Sequence, residues 1–389
     1  MRVALSLAQR GYGSTSPNPM VGAVLVKSGA IVGRGWHRRA GEPHAEVEAI
    51  RDAQRQGHAT RGATLYVTLE PCSTQGRTPP CTEAILKAGI KKVVIGATDP
   101  NPRHHGKAFR ILTRAGVTVV PGILSEACER LNAAFNHWIV KRTPWVTVKA
   151  AMTLDGKIAT ASGESKWITG EKARAYAMHL RKGADAVLVG VHTVLADDPS
   201  LTVRLPDSHP KARGLRRIIL DTKARTPLDA QVIADQFAGL TTVVVGESAP
   251  ARRIADLSKR VKVVIAPLAS PKTTQGLRES KARPPGSEFG DRIELPWLLK
   301  RLGEEEVTSL LVEGGGEVNA SFLLNRLAYR IAFFYAPQIL GGRAAHRAVA
   351  GNGAESLDQI LDLTDLDWRR LGPDWLLTGG IDRQIQVRI

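Results

Sequence analysis

Hydrophobic and polar positions in the first 140 residues alternate between helix-like and strand-like runs. Val3, Leu5 and Leu7 belong to a predicted opening helix, followed by predicted strands at 21–26 and 31–35. Behind Pro43, the spacing of Ala45, Val47, Ala49, Ile50 and Ala53 predicts a helix, and residues 63–69 read as a strand. Pro79 and Pro80 then open a helix that has Cys81 in its first turn and continues through Ala84, Ile85, Leu86 and Ala88. A strand at 92–97, a helix near 108–115, a strand at 117–120 and one long helix from Ser125 to about Lys141 complete the series. This order predicts a three-layer α/β domain with parallel neighbours wherever a helix intervenes.

Lys141-Arg142-Thr143-Pro144 interrupts the apolar periodicity with charge and turn residues, which places a domain boundary there. The expected domains are therefore 1–143 and 144–389. The second opens another α/β series, with strands predicted at 145–151, 186–190, 217–220, 241–245, 261–265, 310–313 and 330–336. Residues 269–291, rich in Ser, Lys, Arg, Pro and Gly, predict an exposed loop. No internal repeat is evident.

Composition bounds this picture without supplying a mechanism. A chain of 389 residues with 43% hydrophobic content can bury two sizeable cores. No apolar run reaches membrane-spanning length, the first residues lack a signal peptide's pattern, and three cysteines give no disulfide framework. A cytoplasmic protein is expected. The formal charge of +17 would suit nucleic acid or anionic small molecules. The basic clusters at 211–217 and 272–283 are not interleaved with aromatics, which make up 5% of the chain. The charge is read mainly as a solvated surface, with a few residues recruited for phosphate.

The chemistry-bearing pattern is His44-Ala45-Glu46, then Pro71-Cys72, then Cys81. One imidazole and two thiolates suit a tetrahedral zinc with an open fourth position, which is the catalytic kind. Zinc-dependent base deaminases share the order H-x-E, P-C-x-x-C, their glutamate moving protons rather than binding metal; here six more residues separate the cysteines. Both predicted helices would direct positive dipole ends at the metal and favour thiolate. The alternative is chance spacing of core residues. Cys128, inside a helical stretch, reads as a small buried hydrophobe.

The two halves together resemble the bifunctional riboflavin-biosynthesis deaminase/reductase family. The first half carries the resemblance in Ser16-Pro17-Asn18-Pro19-Met20-Val21-Gly22, Gly41-Glu42-Pro43-His44-Ala45-Glu46-Val47, Thr68-Leu69-Glu70-Pro71-Cys72-Ser73, Gly76-Arg77-Thr78-Pro79-Pro80-Cys81 and Asp99-Pro100-Asn101-Pro102. The second half carries it in Lys149-Ala150-Ala151-Met152-Thr153-Leu154-Asp155-Gly156-Lys157, Ser162-Gly163-Glu164-Ser165-Lys166-Trp167-Ile168-Thr169, Thr193-Val194-Leu195-Ala196-Asp197-Asp198-Pro199 and Leu311-Val312-Glu313-Gly314-Gly315-Gly316.

The resemblance implies a cytidine-deaminase-like N-terminal domain with zinc on His44, Cys72 and Cys81 and proton transfer by Glu46. Such a zinc lowers the pKa of water to about 7, and Glu46 would act as base and then acid. Asn18 and Asn101, each between two prolines, are candidates for reading a pyrimidine edge, with a plain turn role as the alternative. The C-terminal half is implied to be a dihydrofolate-reductase-like, NADPH-dependent domain. By resemblance, Trp167, Thr169, Thr193, Asp197 and Gly315 lie on the cofactor side, and Ser165, Arg181, Leu201, Arg204 and Glu313 on the substrate side. Glycines before a helix let backbone N–H groups approach a pyrophosphate. Two arginines, at 181 and 204, suit a sugar phosphate. His179 reads as a solvated helix residue, and Lys149 as the group that polarises the carbonyl or orients the sugar.

Two departures stand out, since Thr74 and Glu48 occupy positions where the family carries histidines. The implied substrate is a phosphoribosylaminopyrimidine, with neither nucleic acid nor membrane as partner, and a homo-oligomer is expected. The rival enzyme reading, a tRNA adenosine deaminase with a basic extension, leaves 149–156 and 162–169 unexplained. A zinc-stabilised RNA-binding protein without catalysis is the non-enzymatic reading, against which the intact Glu46 argues.

Overall fold

The computed structural model describes residues 1–74, 79–205, 214–269 and 292–382. Gly76-Arg77-Thr78, the cluster at 272–283, residues 211–213 of the other basic cluster, and all but the first residue of the expected loop at 269–291 lie outside the described residues. The chain divides into two compact units, Met1–Thr143 and Pro144–Ile389.

The first unit runs α1 (Arg2–Ala8), β1 (Gly22–Lys27), β2 (Ala30–Trp36), α2 (Ala45–Arg55), β3 (Thr64–Leu69), α3 (Cys81–Lys87), β4 (Lys92–Ala97), α4 (Lys107–Arg114), β5 (Thr118–Val120), α5 (Ser125–Leu131) and α6 (Ala133–Lys141). Its sheet has the order β2-β1-β3-β4-β5, with β1 antiparallel to both neighbours and β3, β4 and β5 parallel. The two-residue period of β1 divides the core. Ala23 and Leu25 pack with the apolar stripes of α2, α3 and α4, while Val24 faces Ala4 and Leu7 of α1 on the other side.

The expected single helix from Ser125 is two helices. Asn132, between them, leaves helical geometry at φ −111°, ψ 23°. Its buried amide accepts from the Met20 N–H at 2.8 Å and donates to the Met20 carbonyl at 2.9 Å. A helix interior supplies no such distant partner, so this tertiary pair overrides the local periodicity. Cys128 packs against Leu69 and Ala97, and burial pushes its thiol up to about 11.

The second unit comprises β6 (Trp145–Thr153), β7 (Lys157–Ala159), α7 (Glu171–Gly183), β8 (Ala186–Gly190), α8 (Val191–Asp197), β9 (Arg216–Leu220), α9 (Gln231–Ala234), β10 (Thr241–Gly246), α10 (Ala251–Ser258), β11 (Lys262–Ala266), α11 (Leu295–Glu304), β12 (Ser309–Val312), α12 (Gly316–Leu324), β13 (Arg330–Ala336), β14 (His346–Arg347), β15 (Leu363–Leu371) and β16 (Asp374–Ile381). Its nine-stranded sheet has the order β11-β10-β9-β8-β12-β6-β13-β16-β15, parallel from β11 to β13 and antiparallel over the last two pairs. Helices cover both faces. Leu295, Leu298, Leu299 and Leu302 of α11 and Phe322 of α12 meet Val146, Leu188 and Leu310, whereas Val187, Val189 and Val243 pack with Leu257 of α10. Every residue of β8 is buried, as a strand covered on both faces requires. The strands β7, β14, β15 and β16 are additions to the sequence expectation. Among the described residues, no helix is long and apolar enough to cross a membrane.

Replacing Asn132 with Ala leaves two half-buried main-chain groups of Met20 without their partner. A loss of about 2–4 kcal/mol in the stability of the first unit is expected, measured by urea denaturation.

Candidate active site

At the sheet end of the first unit, α2 and α3 begin side by side. His44 is the extended N-cap of α2 at φ −75°, ψ 164°, and Cys81 is the first residue of α3. Cys72 follows β3 by three residues. The His44 Nδ1 lies 3.2 Å from Cys81 Sγ and 3.4 Å from Cys72 Sγ, and the three donor atoms lie within 4.8 Å of one another. Ligands at the usual zinc distances in a tetrahedron sit roughly 3.5 Å apart, so the residues fit a zinc ion. The Cys72 thiol is pulled down to about 4 by hydrogen bonding from the Cys81 thiol and by His44, against the opposing effect of burial. The Cys81 backbone N–H also donates to Cys72 Sγ at 3.2 Å. A thiolate is thus already favoured where the metal needs one.

Glu46 is 3% exposed and outside the donor cluster, and burial pushes its carboxyl above the usual carboxylate range. A carboxyl with raised pKa, beside but not among the ligands, suits proton transfer. Asn18 Nδ2 lies 3.1 Å from His37 Nε2, and the His37 Nδ1 is 3.2 Å from the Pro43 carbonyl. His37 is buried edge-on to His44 at 5.3 Å between centroids. Asn101 takes the turn geometry of the alternative reading: its Oδ1 accepts from the Arg103 N–H at 3.0 Å. Glu48 faces Arg38 at 3.8 Å and Arg51 at 3.4 Å, and Thr74 is exposed. Neither belongs to the donor cluster.

Sequence reasoning missed Glu70. Its buried carboxylate accepts backbone N–H bonds from Asp99 at 3.2 Å and from Gly106 and Ala108 at 3.0 Å, capping α4 and fixing the loop that carries Asn101. The only signal was a glutamate at a strand end, because its partners lie 29 to 38 residues away.

In the second unit, the adjacent parallel strands β8 and β12 each lead through glycine into a helix start. A Cβ at Gly314 would meet Val318 Cβ at 2.5 Å, one at Gly316 would meet the Arg347 carbonyl at 2.3 Å, and one at Gly190 would meet Val318 Cγ2 at 2.9 Å. A Cβ at Gly315 would find nothing within 4 Å. Packing therefore explains the flanking glycines, while Gly315 leaves space at the N-terminus of α12 that a pyrophosphate fits. Thr193 lies in the first turn of α8, and Asp197, at its end, accepts from Ser165 Oγ at 3.1 Å. Trp167 is exposed under the Arg174 guanidinium at 4.7 Å, and Arg174 also donates to the carbonyl of the buried Thr169.

Glu313 directly follows β12, and its side chain is 8% exposed. Burial alone would raise its carboxyl, but the adjacent Arg181 and Lys149 cations hold it down at about 2. Arg181 Nε and Nη2 fork onto its two oxygens at 2.7 and 3.0 Å, and Lys149 Nζ stands 3.5 Å from Oε2. Nη1 of Arg181 donates to the Thr202 carbonyl at 3.0 Å. The expected two-arginine phosphate clamp is revised accordingly, since Arg181 is directed at the protein while Arg204 is exposed. Leu201 is buried in the core with φ +51°, so it shapes the backbone leading to Arg204 rather than meeting a ligand itself. His179 is exposed on α7, as expected.

Residues 1–97 match the cytidine and deoxycytidylate deaminase zinc-binding region, and residues 144–377 match the RibD C-terminal domain. The riboflavin biosynthesis protein RibD of Actinobacillus pleuropneumoniae is 41% identical over 379 residues, covering 97% of this chain and 93% of that protein. The chain belongs to the RibD family. Among solved structures, RibD of Acinetobacter baumannii (form 1) superposes with a TM-score of 0.81 at 36% identity, covering 98% of each chain. A Thermotoga maritima diaminohydroxyphosphoribosylaminopyrimidine deaminase/5-amino-6-(5-phosphoribosylamino)uracil reductase gives 0.78 at 33% identity, covering 98% of this chain and 97% of that one. As a RibD, the protein is a bifunctional deaminase and reductase of riboflavin biosynthesis, with a cytidine-deaminase-like domain followed by a RibD-type reductase domain. Its cofactors are zinc and NADPH.

Elemental analysis should find about one zinc per chain, lost in Cys72→Ala and Cys81→Ala and retained in Glu46→Gln. Zinc loss in Glu46→Gln would make that residue a ligand. In the reductase unit, Gly315→Ala should leave the melting temperature unchanged yet weaken NADPH binding by roughly tenfold or more, about 1.4 kcal/mol, in a fluorescence titration. Gly316→Ala should destabilise the fold instead, because its Cβ meets backbone.

Proposed function

We propose that the first unit hydrolyses the 2-amino group of 2,5-diamino-6-(5-phosphoribosylamino)pyrimidin-4-one, and that the second reduces the ribosyl group of the deaminated product to ribityl. The observation that carries this reading is the pairing, in one chain similar throughout to the Thermotoga protein, of the His44, Cys72 and Cys81 cluster beside Glu46 with the buried Glu313 centre beside Gly315.

Zinc, when bound to His44, Cys72 and Cys81, supplies the Lewis acidity that makes water a competent nucleophile near neutral pH. Glu46 accepts the water proton on its carboxylate and passes it to the departing amine. Burial suits it to both halves of that transfer, since a raised pKa makes the protonated form accessible. Asn18, steadied by His37, donates to the pyrimidine, and Asn101, on the loop that Glu70 holds, offers its amide NH₂ to the same ring.

In the reductase unit NADPH supplies the hydride. Gly315 and Thr193, at two helix starts, would hold its phosphates, and Trp167, Thr169 and Asp197 would border the same cofactor. Lys149 polarises the open-chain carbonyl of the sugar, its ammonium fixed by Glu313, which Arg181 in turn orients. Arg204 meets the sugar phosphate, with Ser165 on the same side and the buried Leu201 setting the backbone that leads to Arg204. We also infer a homo-oligomer working in the cytoplasm. The exposed Leu366 and Trp368 on the edge strand β15 support association, and three thiols without a disulfide support a reducing compartment.

Ammonia release from the diaminopyrimidine, followed by NADPH oxidation, tests the sequence of steps. Glu46→Gln should abolish the first while leaving reduction of the pre-formed deaminated intermediate intact, and collapse of both in a folded variant would overturn the two-site assignment. Arg204→Ala should raise the KM for that intermediate about ten- to a hundredfold, the loss of roughly 1.5–3 kcal/mol from one charge-assisted partner. A change of less than about twofold would place Arg204 among ordinary surface residues.

A further inference from the structure

The segment between α8 and Arg204 carries much of the proposed substrate side, yet it has no regular secondary structure. Two buried arginines grip it from below. Arg181 donates to the Thr202 carbonyl, as described, and Arg217 of β9 donates from Nη1 to the Ser200 carbonyl at 3.0 Å. Leu201, between these two carbonyls, is thereby held at its positive φ of +51°.

Arg217 is the larger investment. It is 1% exposed, and its guanidinium makes five hydrogen bonds: besides Ser200, it meets both Asp235 oxygens at 2.7 and 2.8 Å, Thr241 Oγ1 at 2.8 Å and the Val232 carbonyl at 3.1 Å. All five of its N–H donors are directed at protein acceptors. Gln231, beside this centre, adds a third hold on the segment, its Nε2 donating to the Asp198 carbonyl at 2.7 Å. Simple charge burial would be served by the Asp235 pair alone. The further bond to Ser200 joins β9 and α9 to the one stretch of irregular backbone leading to Arg204.

We propose that Arg217 is a positioning residue of the reductase: with Gln231 as its auxiliary, it fixes the backbone at 198–202 so that Arg204 is presented to the sugar phosphate before substrate arrives. The proposal rests on the reading of Arg204 as a phosphate contact. Pre-set backbone avoids the cost of ordering the segment on binding, so its loss appears in KM rather than in the chemical step.

The test uses full-length enzyme with zinc and NADPH. Arg217→Lys keeps the charge opposite Asp235 but loses the fork, and Gln231→Ala, at an exposed side chain, serves where the buried substitution fails to fold. Each should raise the KM for the deaminated intermediate roughly three- to tenfold, the effect of one or two lost hydrogen bonds, with kcat and the deaminase rate unchanged. Hydrogen exchange at 198–204 should quicken in Gln231→Ala. In an Arg204→Ala background, Gln231→Ala should add little, because the group it positions is gone. If Arg204→Ala raises KM but neither Arg217→Lys nor Gln231→Ala does, or if the Gln231→Ala effect persists undiminished in the double variant, the positioning role is overturned. If Arg204→Ala itself leaves KM unchanged, the phosphate reading beneath it is what fails, and the positioning role falls with it.

Discussion

A carboxylate removed from water must be neutralised, hydrogen-bonded or paired, and each candidate centre of this RibD is organised around that requirement. Three glutamates meet it in three ways. Glu46 is buried beside the donor cluster, and burial raises its carboxyl pKa, which brings the neutral form within reach. Glu70 is satisfied by three backbone N–H groups and holds a loop in place. Glu313 is paired with two cations and stays ionised, which fixes a lysine rather than moving a proton. The same side chain has a raised pKa, anchors a loop or stays ionised between cations according to what was buried with it.

The positions of these groups follow from where sheets end. His44 and Cys81 open helices, and Cys72 and Glu70 lie within three residues of a strand terminus. Gly190 and Gly315 likewise stand between a strand and a helix. Strand ends supply rigid placement, helix starts supply unpaired N–H groups and a positive dipole, and the sheet between them is insulated by apolar layers. Chemistry can therefore be carried on short segments without loosening the core.

Much of this was legible in the sequence because local spacing determines it. The H-x-E and Pro-Cys patterns identify the donor set, since a proline ahead of each helix leaves few places for its first residue. Strands such as β4 and β8 are continuous apolar runs with sharp edges, and the structure reproduces their expected ends. What was hidden depends on partners far along the chain. Asn132 breaks a helix for the sake of Met20, and Glu70 serves N–H groups beyond the next strand. Arg181 was expected on the substrate side by resemblance and its charge suited a phosphate, whereas the partner its guanidinium forks onto lies 132 residues away. The hairpin of β15 and β16 escaped notice for a different reason. The former is exposed along most of its length and the latter ends in a glycine pair, so neither shows the buried alternation that marks a strand.

Val318 constrains how this chain can vary rather than how it reacts. Its side chain leaves no room for a Cβ at either Gly190 or Gly314, so a single branched residue on α12 sets the spacing of two strand ends. A bulkier residue at 318 would press on both turns together, and a larger residue at either glycine would press back on the helix. A larger residue at either glycine therefore needs a smaller one at 318 first, so the order in which these three positions can change is set by packing before any question of catalysis arises.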